Sequence, residues 1–236
     1  MLKDKVAYIT GGSKGIGLGI AQSLLKEGMK VAITARSEAA LENARKILGI
    51  NNSRLLTLVS DVRSEKDELS AVAEIIRLWG RLDVVIANAG VGHFAGIEVL
   101  NSDQWNAVID TNLTGVFNTV KAGLPHLIQS KGYLITIASL AGTNFFKGGA
   151  AYNASKFGLV GFTQAVMLDV RDHGVKVTTI MPGSVSSYFN QRTPGEGDAW
   201  KIQPEDLGQI VSDLLKMNPR TLPSKIEVRP SMPPSK

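Results

Sequence analysis

The 236-residue chain contains no cysteine, so disulfide bonds and thiol catalysis are excluded from its structure and chemistry. It also lacks an uninterrupted apolar run of about 18 residues, and no membrane span is expected. Aromatic residues make up only 6% of the chain, but hydrophobic residues make up 44%, which is ordinary for a folded globular protein. The lack of cysteine fits a reducing compartment, and we predict a cytoplasmic location with no signal peptide before the first strand.

Positive charge is in modest excess, since the chain has 26 basic and 21 acidic residues. A net charge of +5 can attract nucleic acid, but the chain has no dense basic run and no basic patch with interleaved aromatic residues. We therefore expect no nucleic-acid partner, and no metal site is predicted.

Short apolar runs alternate with segments of helical periodicity along most of the chain. The predicted strands are 5–10, 30–35, 55–59, 82–87, 133–139, 176–181 and 225–229. The predicted helices are 15–27, 38–48, 65–79, 102–130 with a break expected near Pro125, 152–172 and 204–217. This alternation predicts one α/β domain over residues 1–236, a Rossmann-type doubly wound parallel sheet of about seven strands with helices on both faces. Ligands of such sheets bind outside the carboxyl ends of the strands.

A glycine-rich segment follows the first predicted strand and opens the first predicted helix. Gly11 permits a tight turn, Gly15 lets the backbone approach a pyrophosphate, and Gly17 lets the helix pack closely on the strand. The amino terminus of the helix offers free amides and the positive end of its dipole to phosphate groups. Because this G-x-x-x-G-x-G pattern lies between a strand and a helix, it predicts a dinucleotide site. The residues expected at this site are Gly11, Ser13, Lys14, Gly15, Ile16 and Gly17.

The second predicted strand ends at Ala35-Arg36-Ser37, without an acidic residue. In NAD sites, an acidic side chain near this point bonds the hydroxyls of the adenosine ribose. The guanidinium of Arg36 suits a phosphate instead, and Lys14 adds a second positive charge on the same side. We therefore predict NADP(H) in preference to NAD(H), with Arg36 and Ser37 at the adenosine end. The alternative is that both cations are ordinary solvated surface residues.

Tyr152 and Lys156 are four residues apart in a predicted helix, and Ser139 ends an apolar run 13 residues before Tyr152. Residues at i and i+4 share one face of a helix, so the Lys156 ammonium is expected beside the Tyr152 phenol. A nearby cation lowers the pKa of a phenol, which tunes the phenol as a general acid for carbonyl reduction. Taken alone, this spacing is common and is also consistent with a surface pair on a helix.

With these features and four further motifs in order, the chain resembles the short-chain dehydrogenase/reductase family over nearly its whole length. The further motifs are Asp61-Val62, Asn88-Ala89-Gly90, Asp110-Thr111-Asn112-Leu113 and Pro182-Gly183-x-Val185. The resemblance implies that the first motif contacts adenine and that the second lies beneath the cofactor. It implies that the third carries an Asn that interrupts a helix, and that the fourth closes over the nicotinamide.

The resemblance also implies a chemistry for the matching residues. Tyr152 would donate or accept the proton, while Lys156 would lower its pKa and bond the nicotinamide ribose. Ser139 would bond the substrate carbonyl oxygen, and Asn112 would anchor a water that leads from Lys156 to solvent. The implied activity interconverts a small-molecule carbonyl compound and an alcohol by hydride transfer with NADP(H), in a homodimer or homotetramer. The alternative is a non-enzymatic NADP(H)-binding sensor or scaffold, which needs the cofactor site but not the other residues.

Two segments near the carboxyl end have little periodic pattern. Residues 183–201 include Pro194-Gly195-Glu196-Gly197, and we predict that they form a mobile lid over the substrate. Residues 230–236 are predicted to form a proline-rich tail. Phe145 and Phe146, in a separate loop, favour an apolar wall of the substrate pocket.

Overall fold

The fold is a seven-stranded parallel sheet with helices on both faces, and the sequence prediction of this architecture is confirmed. A computed structural model describes residues 2–49 and 53–232. The strands are β1 Val6–Thr10, β2 Lys30–Ala35, β3 Leu55–Val59, β4 Val84–Ala87, β5 Tyr133–Ile137, β6 Lys176–Pro182 and β7 Lys225–Val228. The helices are α1 Gly15–Lys26, α2 Glu38–Leu48, α3 Glu65–Trp79, α4 Ser102–Ile109, α5 Gly115–Ser130, α6 Ala150–Val170 and α7 Pro204–Lys216.

The inner strands of the sheet are largely apolar at successive positions because they contribute side chains to two hydrophobic cores, whereas the edge strand β7 packs against one of them. In β1, Ala7 and Ile9 face one core, which is completed by α1, α2 and α7. Val6 and Tyr8, the intervening residues of the same strand, face the other core with α3, α5 and α6. Since side chains alternate between the faces of a strand, a sheet covered on both sides needs apolar residues at successive positions.

The strand order β3-β2-β1-β4-β5-β6-β7 determines where a ligand can bind. β1 pairs with β2 on one side and with β4 on the other. Strands β2 and β3 therefore extend the sheet in one direction from β1, and β4 to β7 extend it in the other. The loops that follow β1 and β4 leave on opposite faces and open a crevice at the carboxyl ends. The glycine-rich segment after β1 and the Asn88-Ala89-Gly90 segment after β4 therefore meet at this crevice.

The predicted helix 102–130 is interrupted, but the predicted break near Pro125 is wrong. α4 ends at Ile109, a π-helical turn spans Asp110–Thr114, and α5 then continues with Pro125 inside it. The turn buries Asn112 completely, against backbone groups of the loop after β4. The local sequence pattern shows the proline but not this long-range contact, so the pattern suggested a break at the wrong position. The other predicted strands and helices agree with the structure to within two residues at each end.

Residues 183–201 leave β6 and contain two short 3-10 turns, Phe189–Gln191 and Glu196–Asp198. A parallel bridge between Val185 and Ile202 joins the two ends of this segment. Residues 233–236 of the predicted proline-rich tail lie outside the described residues. Within the described residues, none of the helices combines the length and the apolar character that crossing a bilayer requires.

Helices α1 and α7 approach closely because Gly19 lies at their contact. A Cβ at Gly19 would lie 2.6 Å from the carbonyl carbon and oxygen of Pro204, so something must move to admit it. We expect Gly19→Ala to lower the free energy of unfolding by about 1–3 kcal/mol. Gly161→Ala is a matched control, since Gly161 is also inside a helix and its Cβ would meet nothing within 4 Å. The control should be neutral or up to about 1 kcal/mol more stable. Urea denaturation measures both, and equal stabilities of the two variants would contradict the close contact.

Candidate active site

A cleft of about 1770 Å³ lies at the carboxyl ends of the strands. It brings together most of the residues that the sequence predicts for the site. Those that line it are Gly11, Ser13, Lys14, Gly15, Ile16, Arg36, Ser37, Asp61, Val62, Asn88, Ala89, Gly90, Ser139, Tyr152, Lys156, Pro182, Gly183 and Val185. Gly17 and Asn112 are buried behind its surface.

The turn between β1 and α1 is shaped by glycines. Gly11 and Gly15 have φ angles of 65° and 55°, a region that L side chains rarely adopt. A Cβ at Gly17 would lie 2.6 Å from both the Gly11 carbonyl oxygen and Asn88 Nδ2. α1 begins at Gly15 without a side-chain cap, and its first turn has no acidic residue. The first amides of α1 therefore remain available to an anion in the cleft.

Asn88, just after β4, fastens the glycine turn to the neighbouring strand. Its Nδ2 donates hydrogen bonds to the carbonyl oxygens of Thr10, at 2.9 Å, and Gly11, at 3.1 Å. Thr10 Oγ1 in turn accepts from the backbone amides of Asn88 and Ala89, at 3.1 and 3.2 Å. The sequence prediction missed this function of Thr10. The signal that indicates it is a hydroxyl at the end of a buried strand, directly before a glycine turn.

One rim of the cleft carries exposed Arg36 after β2 and Asp61 after β3. Arg63 donates to Asp61 Oδ2 at 2.5 Å, a contact that the sequence prediction missed. This hydrogen bond, together with the charges of Arg63 and Arg36, holds the pKa of Asp61 below its usual value. Ser37 Oγ accepts from Ala40 N at 3.3 Å and caps α2. Arg36 is thus an exposed cation at this rim, and the nearby Asp61 carboxylate pairs with Arg63.

Tyr152 and Lys156 lie on one face of α6, and Ser139 follows the end of β5 in the same cleft. Both are nearly buried, with exposed fractions of 9% for Tyr152 and 4% for Lys156. The Lys156 Nζ lies 5.7 Å from the centroid of the Tyr152 ring and donates to the Ile137 carbonyl oxygen at 3.0 Å. Ser139 Oγ accepts from Ala141 N at 3.1 Å, which fixes the start of the loop after β5.

The protonation states of this pair are determined by burial. Burial raises the pKa of Tyr152 to about 12, although a hydrogen bond from Ser139 acts in the opposite direction. Burial also lowers the pKa of Lys156 to about 8. The lowered phenol pKa that the sequence predicts is therefore wrong, because burial raises the pKa of Tyr152 more than the Ser139 hydrogen bond lowers it. The Lys156 ammonium donates its hydrogen bond to Ile137. At neutral pH the phenol is protonated and the ammonium is mostly charged, as carbonyl reduction requires.

Asn112 connects the loop after β4 to α6. Its Oδ1 accepts from Val91 N at 2.8 Å, and its Nδ2 donates to Val91 O at 2.9 Å and to Ser155 Oγ at 3.1 Å. Gly90 adjoins both Asn112 and Lys156. A Cβ at Gly90 would lie 3.3 Å from Asn112 Oδ1 and 3.8 Å from Lys156 Nζ. The absence of a side chain at Gly90 keeps open the space beside these two atoms.

The segment that follows β6 is anchored at its start. Pro182 pairs with Val228 of β7, and Gly183 N donates to the Val228 carbonyl oxygen at 2.8 Å. Val185 forms the bridge with Ile202 just before α7. The beginning of residues 183–201 is therefore held to the sheet, and Ser187, Tyr188 and Phe189 then line the cleft.

The sequence of the chain matches the family model described as short chain dehydrogenase over residues 5–196. An uncharacterized oxidoreductase of Staphylococcus aureus (strain MRSA252) is 34% identical over 231 residues, which cover 98% of this chain and 99% of that relative. The chain belongs to the short-chain dehydrogenase/reductase family. The resemblance seen in the sequence motifs is thereby confirmed.

Solved structures of other proteins share the architecture of this short-chain dehydrogenase/reductase. The alcohol dehydrogenase of the archaeon Thermococcus sibiricus, complexed with 5-hydroxy-NADP, matches with a TM-score of 0.91 and 27% identity, over 99% of this chain and 100% of its own. A metagenomic short-chain oxidoreductase in complex with NADP has a TM-score of 0.85 and 31% identity, over 98% of this chain and 99% of its own. The similarity extends over the sheet and the helices on both faces.

Aromatic rings from three loops surround the tyrosine of this short-chain dehydrogenase/reductase. The ring of Phe94 lies 5.4 Å from that of Tyr152. The ring of Phe189, in the segment that follows β6, lies 5.5 Å from that of Tyr152. Phe146 lies 5.7 Å from Phe94, so part of the predicted apolar wall is present. Phe145 is 86% exposed and stands at the outer rim. Phe189 was missed because it lies in an irregular segment whose sequence has no periodic pattern.

Proposed function

We propose that the protein is an NADP(H)-dependent oxidoreductase that interconverts a carbonyl compound and an alcohol. The observation that carries this proposal is the presence of Tyr152, Ser139 and Lys156 in the same cleft as the glycine turn. Hydride transfer to a carbonyl needs a bound dinucleotide and a proton donor beside it, and the cleft offers residues for both. The alcohol dehydrogenase of Thermococcus sibiricus, complexed with an NADP derivative, supports the same assignment.

The residues of the cleft fit a dinucleotide from one end to the other. The free amides at the start of α1, with Lys14 beside them, would hold the pyrophosphate. Asp61 and Val62 would border the adenine, and Lys156 would bond the nicotinamide ribose. Asn88, Ala89 and Gly90 would form the floor, with Pro182, Gly183 and Val185 over the nicotinamide. The bound nicotinamide supplies the hydride.

The chain's own residues would manage the proton and the carbonyl. Tyr152 keeps its proton at neutral pH and donates it to the forming alcohol, while the Ser139 hydroxyl orients the carbonyl oxygen. Lys156 holds positive charge nearby, which stabilises the phenolate left behind. Asn112 Oδ1 accepts one hydrogen bond from Val91 and has capacity for a second, from a water in the space beside Gly90.

The preference for NADP(H) is proposed from Arg36 and Lys14. We expect Arg36→Leu to lower kcat/KM for NADPH by about 10- to 100-fold, because a charge-assisted hydrogen bond to the 2′-phosphate is lost. The value for NADH should change little, since NADH lacks that phosphate. Arg45→Leu is the matched control, as Arg45 is on nearby α2 and pairs with Glu42 at 2.5 Å. Steady-state kinetics with both cofactors measure the effect, and an equal loss for NADH and NADPH would contradict this function of Arg36.

The alternative function is a non-enzymatic NADP(H)-binding sensor or scaffold. The glycine turn and Arg36 would serve that function equally well. The arrangement of Tyr152, Ser139 and Lys156 favours the enzyme, because a sensor gains nothing from a protonated phenol and a buried ammonium in its ligand cleft.

Residues 183–201 are proposed to act as a mobile lid. A Cβ at Gly15 would lie 3.3 Å from Ser187 Cβ, and Lys14 Nζ lies 5.9 Å from the centroid of the Tyr188 ring. The segment thus contacts the turn that would bind phosphate. Limited proteolysis with and without NADPH tests the lid, and equal cleavage rates would count against it.

The proposed partners are a small-molecule carbonyl or alcohol and further copies of the chain, in a cytoplasmic location. Phe117 and Phe157, on α5 and α6, have exposed fractions of 45% and 44%. We propose that these helices pair between subunits in a homodimer or homotetramer. Light scattering tests the assembly, for which a monomer is the contrary result, and cell fractionation tests the location.

The proposed activity is tested with purified protein, NADPH and a panel of ketones, aldehydes, sugars and 3-oxoacyl compounds. Consumption of NADPH, measured by its absorbance, is expected with at least one class. Binding of NADPH without consumption by any member of the panel would favour the sensor. A protein that binds no dinucleotide would overturn both functions.

A further inference from the structure

Three aromatic rings contact one another where a substrate carbonyl must approach Tyr152. The Phe94 ring lies edge-on to Tyr152 at 76°, and the Tyr152 and Phe189 rings are inclined at 54°. Phe94 and Phe189 are 6.2 Å apart, which completes the triangle. Phe94 is 42% exposed, so it retains free aromatic surface beside the reacting position. A substrate carbonyl that reaches Tyr152 must therefore pass along or between these rings.

One side of this triangle is fixed by hydrogen bonds between two loops. Ala95 N, next to Phe94, donates to Gly148 O at 2.9 Å. Asn153 holds the loop after β5, since its Nδ2 donates to Ala141 O at 2.7 Å and to Asn144 O at 2.8 Å. Asn153 is 8% exposed and directly follows Tyr152 on α6. The wall formed by Phe94 and its neighbour Phe146 is thus tied to the helix that carries the phenol.

The other side is formed by the lid segment and packs on a glycine. A Cβ at Gly92 would lie 2.7 Å from Phe189 Cζ and 3.1 Å from Phe94 Cζ. Any larger residue at this position would displace one of the two rings. Phe189 is followed by Asn190, which adopts the left-handed conformation with φ 54°. Asn tolerates that conformation better than most residues, and it turns the chain directly after the ring.

We propose that the substrate is an aryl ketone or aldehyde, a carbonyl attached directly to a flat aromatic ring that packs against Phe94 and Phe189. The inference rests on the proposed function and names its substrate class. Aromatic rings prefer edge-to-face and offset contacts with one another, and such pairs gain more than their buried area alone provides. A ring beside Phe94 and Phe189 would place its attached carbonyl next to the Tyr152 phenol. A saturated ring of the same size would fill the same space without those contacts.

The test compares two ketones of matched size, acetophenone and cyclohexyl methyl ketone, with NADPH as the cofactor. The measured quantity is the ratio of their kcat/KM values in the wild type, in Phe94→Leu and in Phe189→Leu. Leucine keeps the position apolar but removes the ring. We expect each variant to lower the ratio about two- to twelvefold, as the loss of one aromatic pair predicts. Phe117→Leu is the matched control, because it also removes one aromatic pair, with Phe162 and outside the cleft, and it should leave the ratio unchanged.

The outcomes separate this inference from the proposed function. A fall in the ratio in both cluster variants, with none in Phe117→Leu, supports the aryl substrate. An unchanged ratio in either cluster variant, or an equal fall in the control, overturns it while the oxidoreductase stands. If no carbonyl consumes NADPH, the proposed function fails. Saturation-transfer NMR of the two ketones on the NADPH complex then decides the inference, and equal binding of both would reject it.

Discussion

Tyr152→Phe is expected to lower kcat for carbonyl reduction by about 10²–10⁴-fold, because it removes only the hydroxyl that donates the proton. The phenyl ring remains and keeps its contacts with Phe94 and Phe189. The Kd for NADPH should stay within about twofold, since the glycine turn and Arg36 are unaffected. NADPH absorbance measures turnover, and a fluorescence titration measures cofactor binding. This separation of chemistry from binding distinguishes an enzyme from a sensor.

The control for this variant is another tyrosine that loses its hydroxyl away from the cleft. The hydroxyl of Tyr133, in β5, bonds to Thr178 Oγ1 at 2.7 Å inside the core. Tyr133→Phe should cost about 1 kcal/mol of stability but retain turnover. Full activity in Tyr152→Phe would show that another group supplies the proton. Loss of NADPH binding together with turnover would show that the phenol acts in binding.

Lys156→Met is the second substitution with a large expected effect, and it should change activity and stability in opposite directions. Removal of the ammonium leaves the Tyr152 phenolate without a nearby cation, and we expect kcat to fall by about 10²–10³-fold at pH 7. Burial lowers the pKa of Lys156 to about 8, so the folded protein bears a cost for keeping this group charged at neutral pH. Met, which carries no charge, should therefore raise the free energy of unfolding at pH 7.

The same pKa predicts how the wild type responds to pH. Reduction should decline as pH rises through about 8, because Lys156 then loses its proton while Tyr152, with a pKa of about 12, keeps its own. Stability should change in the other direction. The unfolded chain binds this proton more tightly than the folded one, so the contribution of Lys156 to stability rises between about pH 8 and its ordinary value of 10.5. A pH–rate profile measures the change in activity, and a rate that stays constant to pH 10 would contradict the first prediction. Urea denaturation at each pH measures the change in stability.

The sequence was sufficient for the parts of the fold that local pattern determines. Apolar residues at the spacing of strands located all seven strands, and the glycine pattern located the turn before α1, because periodicity and glycine conformation are properties of neighbouring residues. The interruption of the predicted helix 102–130 lies at Asp110–Thr114, where the family resemblance implied that Asn112 interrupts a helix. The break expected near Pro125 is wrong, since the cause of the interruption is the distant contact of Asn112 with Val91. The pattern of a helix cannot report which backbone groups its side chains will meet.

The candidate site shows the same division between local and distant causes. Motif order identified the residues that line the cleft, but the direction of the Tyr152 pKa was wrong because burial is a property of the folded chain. The contact of Arg63 with Asp61 and the position of Phe189 were also missed. The contact of Arg63 with Asp61 is local, since the two residues are two apart in one turn. The position of Phe189 depends on how the segment after β6 lies over the cleft, and that segment has no pattern that predicts its path.

The bridge between Val185 and Ile202 has a consequence for how substrate range can change. Ile202 N donates to Ser184 O at 3.1 Å, and Ser186 N donates to Ile202 O at 2.9 Å, so the intervening residues begin and end at one fixed point. Insertions or exchanges between these ends need not disturb β6 or α7. The segment is therefore suited to grafting, and a transplanted loop that keeps the contacts of Ser187 and Tyr188 with the glycine turn should alter which carbonyls are accepted without altering cofactor choice. The ketone panel, run with NADPH and with NADH, would reveal a graft that changes both the accepted carbonyls and the cofactor choice.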